Sequence, residues 1–132
     1  MSAKTALLIG AIFGFLGVAF GAFGAHVLEP RLEPRLFRAF ETGARYQLIH
    51  ALALLVLAPM MSRADERSRR WLSRACLAFT AGIGLFSFSL YAMALSGARV
   101  LGAITPFGGL ALMTAWIFVA LAAVSYAENS PR

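Results

Sequence analysis

The sequence predicts an all-α integral membrane protein, a bundle of four transmembrane helices with an amphipathic interfacial segment before the second helix. Composition is the first observation behind this prediction. Of 132 residues, 60% are hydrophobic and only 14% are charged, whereas soluble domains have about 45–50% apolar and roughly 25% charged residues. The second observation is that the charges are confined to short stretches between long uncharged runs. The chain is therefore expected to form a single transmembrane domain, residues 1–132, rather than a soluble enzyme.

Four apolar runs approach or exceed the roughly 20 helical residues that a bilayer requires. The expected spans are residues 5–28, 44–61, 75–98 and 106–127. The second is the weakest, since His50 lies inside it and Pro59 lies near its end, and an interfacial or re-entrant segment is the alternative there. The fourth is expected to begin at Pro106, because Thr105 is a good N-cap and proline suits the first helical position.

The segment between the first two spans carries three of the six acidic residues and two prolines, Pro30 and Pro34. Prolines four residues apart prevent a regular helix at that point. From Arg35 onward the pattern becomes helical, with apolar residues on one side at Leu36, Phe37, Phe40 and Ala44. We expect this stretch to lie amphipathically at the membrane surface and to lead into the second span.

The net charge of +6 comes from 12 basic and 6 acidic residues. Basic residues that flank apolar runs are typical of membrane orientation and of contact with anionic headgroups. The expected partner is therefore the lipid bilayer, and not nucleic acid. Seven Lys and Arg on one side against five on the other predict that both termini face the cytoplasm. A single cysteine, Cys76, excludes an internal disulfide.

Small residues recur along the first predicted span at spacings of three and four. Such stripes let membrane helices approach closely. The residues predicted to serve helix packing are Gly10, Gly14, Gly17, Gly21 and Gly24 in the first span, and Gly84 and Ser87 in the third. Packing within the bundle is the preferred interpretation, and a dimer surface or a pore is the alternative.

Polar residues of several spans are predicted to converge in the outer half of the bundle. The candidate ligand-binding residues are His26, Tyr46, Gln47, His50, Tyr91, Thr105, Gly108 and Gly109. They could form an outward-facing pocket, but pairing across helices to stabilise the bundle is the simpler interpretation and is preferred. Two histidines, even with Met93, make an incomplete metal shell. No metal or other cofactor is therefore expected.

No Asp, Glu, Lys or Arg lies in the interior of any predicted span. Proton- and ion-coupled transporters usually need such a group at membrane depth, and no nucleophile–base pair suggests an enzyme. The leading hypothesis is a non-enzymatic protein that associates with itself or with another membrane protein. The alternative is a small-solute or ion pathway, or a ligand or metal sensor, built around His26 and His50.

Several motifs together resemble a known family. They are Gly21–His26, Thr42-Gly43, Tyr46-Gln47-x-x-His50, Leu90-Tyr91 and Thr105-Pro106-x-Gly108-Gly109. In this order they are similar to domain-of-unknown-function family 423, which includes YgdD-like bacterial inner-membrane proteins and the animal transmembrane protein 256. The resemblance covers nearly the whole chain and implies a small four-helix protein of the bacterial inner membrane. Residues 29–38 depart from the family pattern, and Ala115-Trp116 stands where Gly-Trp is frequent. The family has no established activity, so the resemblance implies none.

Overall fold

A computed structural model of the chain describes residues 1–128. It contains four long helices, α1 (Ala3–Phe23), α2 (Pro34–Arg63), α3 (Glu66–Ser96) and α4 (Thr105–Glu128). A π-helical turn, Gly24–Leu28, extends α1, and a 3-10 turn, Arg99–Ala103, precedes α4. All four helices are long and apolar enough to cross a membrane, and no strand occurs among these 128 residues. The predicted fold class is confirmed. Arg132, one of the seven basic residues counted on the cytoplasmic side, lies outside the described residues.

The helix ends follow from local capping chemistry. Pro34 occupies the first turn of α2, where its missing N–H is not needed. The Asp65 carboxylate caps α3 by accepting hydrogen bonds from the backbone N–H groups of Arg67, at 2.9 Å, and Ser68, at 3.0 Å. The same helix ends at Gly97, whose φ of 72° lies in the left-handed region that favours glycine.

The second helix is longer than its predicted span of residues 44–61. It runs for 30 residues, about 45 Å at 1.5 Å per residue, against a hydrocarbon core of about 30 Å. The amphipathic segment predicted before this span is the first part of the same continuous helix. This continuity is not evident from the sequence, because charged residues such as Arg38 and Glu41 lower the hydropathy of the segment. A helix can nevertheless extend beyond the hydrocarbon core and place such residues in the headgroup region.

α2 and α3 lie at the centre of the bundle; α1 lies along α2 and also touches α3, and α4 lies along α3 and also touches α2. α1 packs along α2, α2 along α3, and α3 along α4, while α1 and α4 do not meet within residues 1–128. In the most apolar 18-residue window of each helix, 44% of residues are buried in α2 and in α3, but only 17% in α1 and 22% in α4. The two central helices therefore form the core, and the two outer helices leave most of their surface uncovered.

Two apolar clusters fill this core at different depths. The larger contains Leu54, Leu57, Leu72, Cys76, Phe79 and Ile83, with neighbours from α1 and α4. The smaller contains Leu28, Phe40, Ala44, Tyr91 and Ala94. Gln47 lies between them along α2, after Ala44 of the smaller cluster and before Leu54 of the larger. A thin polar layer thus crosses the middle of the bundle.

Candidate functional site

Gln47 is the centre of this polar layer and joins three helices. It lies near the midpoint of α2 and its side chain is completely buried. The amide nitrogen donates a hydrogen bond of 2.8 Å to the carbonyl oxygen of Phe13 in α1. The amide oxygen accepts a hydrogen bond of 2.9 Å from the hydroxyl of Tyr91 in α3. Inside a bilayer there is no water to replace these hydrogen bonds. The single side chain of Gln47 therefore links α2 both to α1 and to α3.

His50 lies one turn further along α2 and connects it to α4. The side chain is 5% exposed. Its Nε2 is 3.2 Å from the indole nitrogen of Trp116, and its Nδ1 is 2.7 Å from the carbonyl oxygen of Tyr46. An indole N–H can only donate, so Nε2 accepts and Nδ1 carries the proton that is donated to the carbonyl. Both ring nitrogens are occupied in this neutral form, which leaves no lone pair for a metal ion.

The predicted convergence of His26 with His50 does not occur. The glycines of α1 set the register of the two helices, since Gly24 lies against Phe40 and Gly17 lies against Leu48. His26 is therefore level with about residue 38 of α2. His50 lies twelve residues beyond that level, about 18 Å along the helix. The exposed His26 and the buried His50 belong to different depths, so they cannot bind one ligand together.

The third candidate metal ligand is also separate from the histidines. The sulfur of Met93 lies beside Gly102 in the turn before α4. Met93 also lines a cleft with Glu33 and Arg99 at the end of the bundle. His26, His50 and Met93 thus occupy three different places, and no group of three or more His, Cys, Asp or Glu that could hold a metal occurs among the residues described.

The remaining candidates near the start of α4 are engaged in helix packing. The hydroxyls of Thr105 and Ser89 lie 2.8 Å apart and join α4 to α3. Gly108 is buried against the backbone of Phe86, and a Cβ at this position would overlap that backbone. Gly109 has more room, since an added Cβ would lie 3.9 Å from the Phe86 ring. Thr105, like Gln47, His50 and Tyr91, is therefore paired across helices, whereas His26 is exposed.

Tyr46 occupies the edge of the polar layer. Its side chain is 40% exposed, and its ring lies 4.7 Å from that of Phe86 and 5.9 Å from that of His50, measured between centroids. The hydrogen bond between Gln47 and Tyr91 does not include the side chain of Tyr46. Tyr46 and His50 form one aromatic group, and Gln47 and Tyr91 form a separate hydrogen-bonded pair.

The predicted packing residues divide into two groups. An added Cβ would meet side chains of α2 at Gly10, Gly17 and Gly24. No atom lies within 4 Å of where a Cβ would stand at Gly14, Gly21 and Gly84. Ser87 is completely buried, and its hydroxyl has no hydrogen-bond partner. The stripes read from the sequence therefore contain residues that pack inside the chain and residues that face away from it.

Three residues important to the packing were not singled out as site residues from the sequence. Gly43 lies so close to α3 that a Cβ would stand 3.1 Å from the carbonyl oxygen of Ser87, and Gly82 is covered by Leu112. Trp116 supplies the hydrogen bond to His50. The Thr42-Gly43 motif was a usable signal for the first. Nothing in the sequence distinguishes Gly82 from Gly84, and the partner of Trp116 depends on the rotation of α4.

Known proteins resemble this chain over most of its length. Residues 20–109 match the family described as "Protein of unknown function (DUF423)". The chain is 39% identical over 127 residues to the UPF0382 membrane protein YwdK of Bacillus subtilis, covering 93% of this chain and 98% of that protein. It is 38% identical over 124 residues to the UPF0382 inner membrane protein YgdD of Escherichia coli, covering 94% and 92%. No solved structure matches the chain. The predicted location in a bacterial inner membrane is confirmed by these relatives and by the four spans.

Proposed function

This chain belongs to the DUF423 family of membrane proteins of unknown function, and we propose that it is a non-enzymatic protein that associates with a second copy of itself through the outward side of α1. One observation carries this proposal. Gly14 and Gly21 lie on α1 with no atom within 4 Å of where a Cβ would stand. Their missing side chains therefore serve no contact inside the chain, although each glycine costs a helix about 1 kcal/mol relative to alanine.

The surroundings of the two glycines support a helix–helix contact. The uncovered surface of α1 carries exposed alanines, such as Ala11 and Ala22, and bulky side chains, such as Phe15, which is 73% exposed, and Leu8, which is 58% exposed. Gly14 and Gly21 interrupt that surface with a shallow groove, and Val18 lies between them. Small residues let the backbones of membrane helices approach closely, where van der Waals packing favours association.

A second copy is the partner that fits this groove best. Two copies inserted in the same direction hold each residue at the same depth in the bilayer. A two-fold axis along the membrane normal then places Gly14 opposite Gly14 and Gly21 opposite Gly21. The seven-residue interval is also the period of parallel helices that cross at about 20°. Since no atom among residues 1–128 lies within 4 Å of a Cβ at Gly14 or Gly21, no helix in the described part of the chain covers this side.

The polar layer supports a structural rather than a catalytic role. Both nitrogens of His50 are hydrogen-bonded, and both ends of the Gln47 amide are hydrogen-bonded. A general base needs a free nitrogen within hydrogen-bond reach of a substrate. The geometry instead joins α2 to its three partners.

The proposal is tested by measuring association in liposomes as the ratio of lipid to protein is varied. Gly14→Leu and Gly21→Leu should each weaken the dimer at least tenfold, because the inserted side chain meets its own copy across the two-fold axis. Gly84→Leu is the matched control, since Gly84 is equally uncovered but lies on α3. Resonance energy transfer between labelled copies reports association. A wild type that stays monomeric at every lipid ratio, or a Gly14→Leu protein that associates as well as wild type, would refute the proposal.

A further inference from the structure

The end of the bundle formed by the α2–α3 connection is strongly basic. Twelve residues of this segment, 63–74, include five arginines, namely Arg63, Arg67, Arg69, Arg70 and Arg74. Only two acids, Asp65 and Glu66, accompany them. Basic residues beside a membrane helix attract anionic lipid, each contributing about fivefold in affinity near the surface.

The two acids leave this segment with a net charge of +3, from five arginines and two carboxylates. The Asp65 carboxylate is engaged in capping α3 and also accepts a hydrogen bond of 2.7 Å from the Ser68 hydroxyl. Glu66 lies 3.7 Å from Arg70, but both side chains are mostly exposed, at 73% and 67%. Ion pairs this exposed are weak and easily exchanged for another anion.

Three of the arginines surround a cleft of about 540 Å³ at this end of the bundle. We call it the arginine cleft; it is lined by Arg69, Arg70, Arg74, Ser62, Ser73 and Met61, together with the first three residues of the chain. A neighbouring cleft of about 300 Å³ shares Arg70 and Arg74 with it. The same two guanidinium groups can therefore be reached from two sides.

Trp71, which lines the neighbouring cleft, holds one arginine of the arginine cleft in place. The guanidinium carbon of Arg74 lies 4.8 Å from the centre of the Trp71 ring, a cation–π contact that restricts the side chain. The indole packs in turn against Phe118, with 5.5 Å between ring centroids. Tryptophan is enriched at the level of lipid headgroups, which is consistent with a cleft that opens at that level.

An apolar groove continues from the cleft along the seam between α1 and α2. It has a volume of about 230 Å³ and is lined by Ala3, Lys4, Leu7, Ala58, Pro59 and Ser62. Ala3 and Ser62 line both the groove and the arginine cleft. The two together present a cationic pocket joined to an apolar channel, which is the shape of a headgroup with an attached acyl chain.

We infer that the arginine cleft binds the phosphate headgroup of an anionic phospholipid, with one acyl chain lying in the groove between α1 and α2. Guanidinium groups bind phosphate oxygens through paired, charge-assisted hydrogen bonds. The phosphate could also come from a soluble molecule, but the apolar groove favours the lipid. The inference does not rest on association through α1, because the arginines that bind the headgroup lie at the α2–α3 end of the bundle and not along the Gly14–Gly21 groove.

The test compares lipids that share their acyl chains and differ in headgroup charge. Purified protein is mixed with equal amounts of phosphatidylglycerol and phosphatidylcholine, and the lipids that remain bound are identified by native mass spectrometry. Wild type should retain phosphatidylglycerol preferentially. The triple variant R69Q/R70Q/R74Q should bind it about 100-fold more weakly, at roughly fivefold for each arginine removed.

Two matched variants separate charge at the cleft from other effects. R31Q/R38Q/R45Q removes the same charge from the opposite end and should stay within threefold of wild type. R69K/R70K/R74K keeps the charge and should retain at least a tenth of the wild-type affinity. A wild type without headgroup preference would overturn the inference, and so would a lysine variant as weak as the glutamine variant.

A final arm distinguishes the lipid from a soluble phosphate compound. Inorganic phosphate is added against chloride of equal ionic strength while bound phosphatidylglycerol is monitored. No displacement at millimolar phosphate is expected, because the acyl chain in the groove adds affinity that the free ion lacks. Displacement at that concentration would assign the cleft to soluble phosphates and overturn the lipid inference.

Discussion

The hydrogen-bonded pair of Gln47 and Tyr91 offers the sharpest test of the polar layer. In Gln47→Leu, two interhelical hydrogen bonds are lost, and the hydroxyl of Tyr91 is left buried without its partner. Interhelical hydrogen bonds in membrane proteins contribute about 0.6 kcal/mol each, and a buried polar group without a partner costs about 1–3 kcal/mol. The variant should therefore lower the free energy of unfolding by about 2–4 kcal/mol.

The double variant Gln47→Leu/Tyr91→Phe tests whether the two side chains stabilise the bundle as a pair. Tyr91→Phe alone removes one hydrogen bond and leaves the amide oxygen of Gln47 without a partner, so it should lower stability by about 1–3 kcal/mol. When both polar groups are removed, neither is left unpaired. The double variant should thus be less destabilised than the sum of the two single variants, by at least about 2 kcal/mol.

Denaturation by SDS in mixed micelles provides the measurement, with the single cysteine as reporter. Cys76 is completely buried in the larger apolar cluster, so a thiol reagent should label it only when the core opens. Ser62→Ala, at the end of α2, serves as a control that leaves the polar layer intact. If the effects of Gln47→Leu and Tyr91→Phe simply add, within about 0.5 kcal/mol, the two side chains do not act as a pair and the account of the polar layer is wrong.

Two further predictions concern the contact between α3 and its neighbours, and both use the same unfolding assay. Gly108→Ala should destabilise the protein by at least about 2 kcal/mol, because its Cβ would overlap the backbone of Phe86. Gly84→Ala is the control and should be neutral or stabilising, because no atom lies within 4 Å of its Cβ. Equal effects of the two substitutions would contradict the close approach of α3 and α4. Ser87→Ala should leave stability unchanged or raise it by about 1 kcal/mol, since the buried hydroxyl has no partner to lose; a large loss of stability would show that Ser87 has a partner after all.

The fold could be predicted from the sequence because hydrophobicity acts over whole segments. A bilayer requires long apolar helices whatever their neighbours are, so the four spans follow from composition and spacing. The end of α3 is also a local property, since Gly97 terminates the helix in the left-handed conformation. Thr105, predicted to cap α4, is instead the first residue of that helix, and its hydroxyl lies 2.8 Å from that of Ser89. The beginning of α2 could not be predicted from the sequence with the same accuracy. Arg38 and Glu41 lower the hydropathy of a segment that is nevertheless one continuous helix from Pro34.

The arrangement of the polar residues could be predicted only in part. Which residues are polar within the spans is visible in the sequence, and so is the preference for pairing across helices. A span that begins at residue 44 places His50 in the outer half of the bundle, and in the helix that begins at Pro34 the same residue lies close to the midpoint. The separation of His26 from His50 depends on the register of α1 against α2. That register is set by side-chain contacts such as Gly17 against Leu48, which have no signature in either helix alone.

The glycines of α1 show why one stripe in the sequence corresponds to two surfaces. Gly10, Gly17 and Gly24 are spaced by seven residues and contact α2, while Gly14 and Gly21 are also spaced by seven and contact nothing. The second set follows the first by four residues, a rotation of about 40° around the helix axis. One neighbouring helix covers the first set and leaves the second uncovered. A helix that had only α2 to contact would need only the first set, so the presence of both is explained if α1 packs against α2 on one face and against α1 of a second copy on the adjoining face.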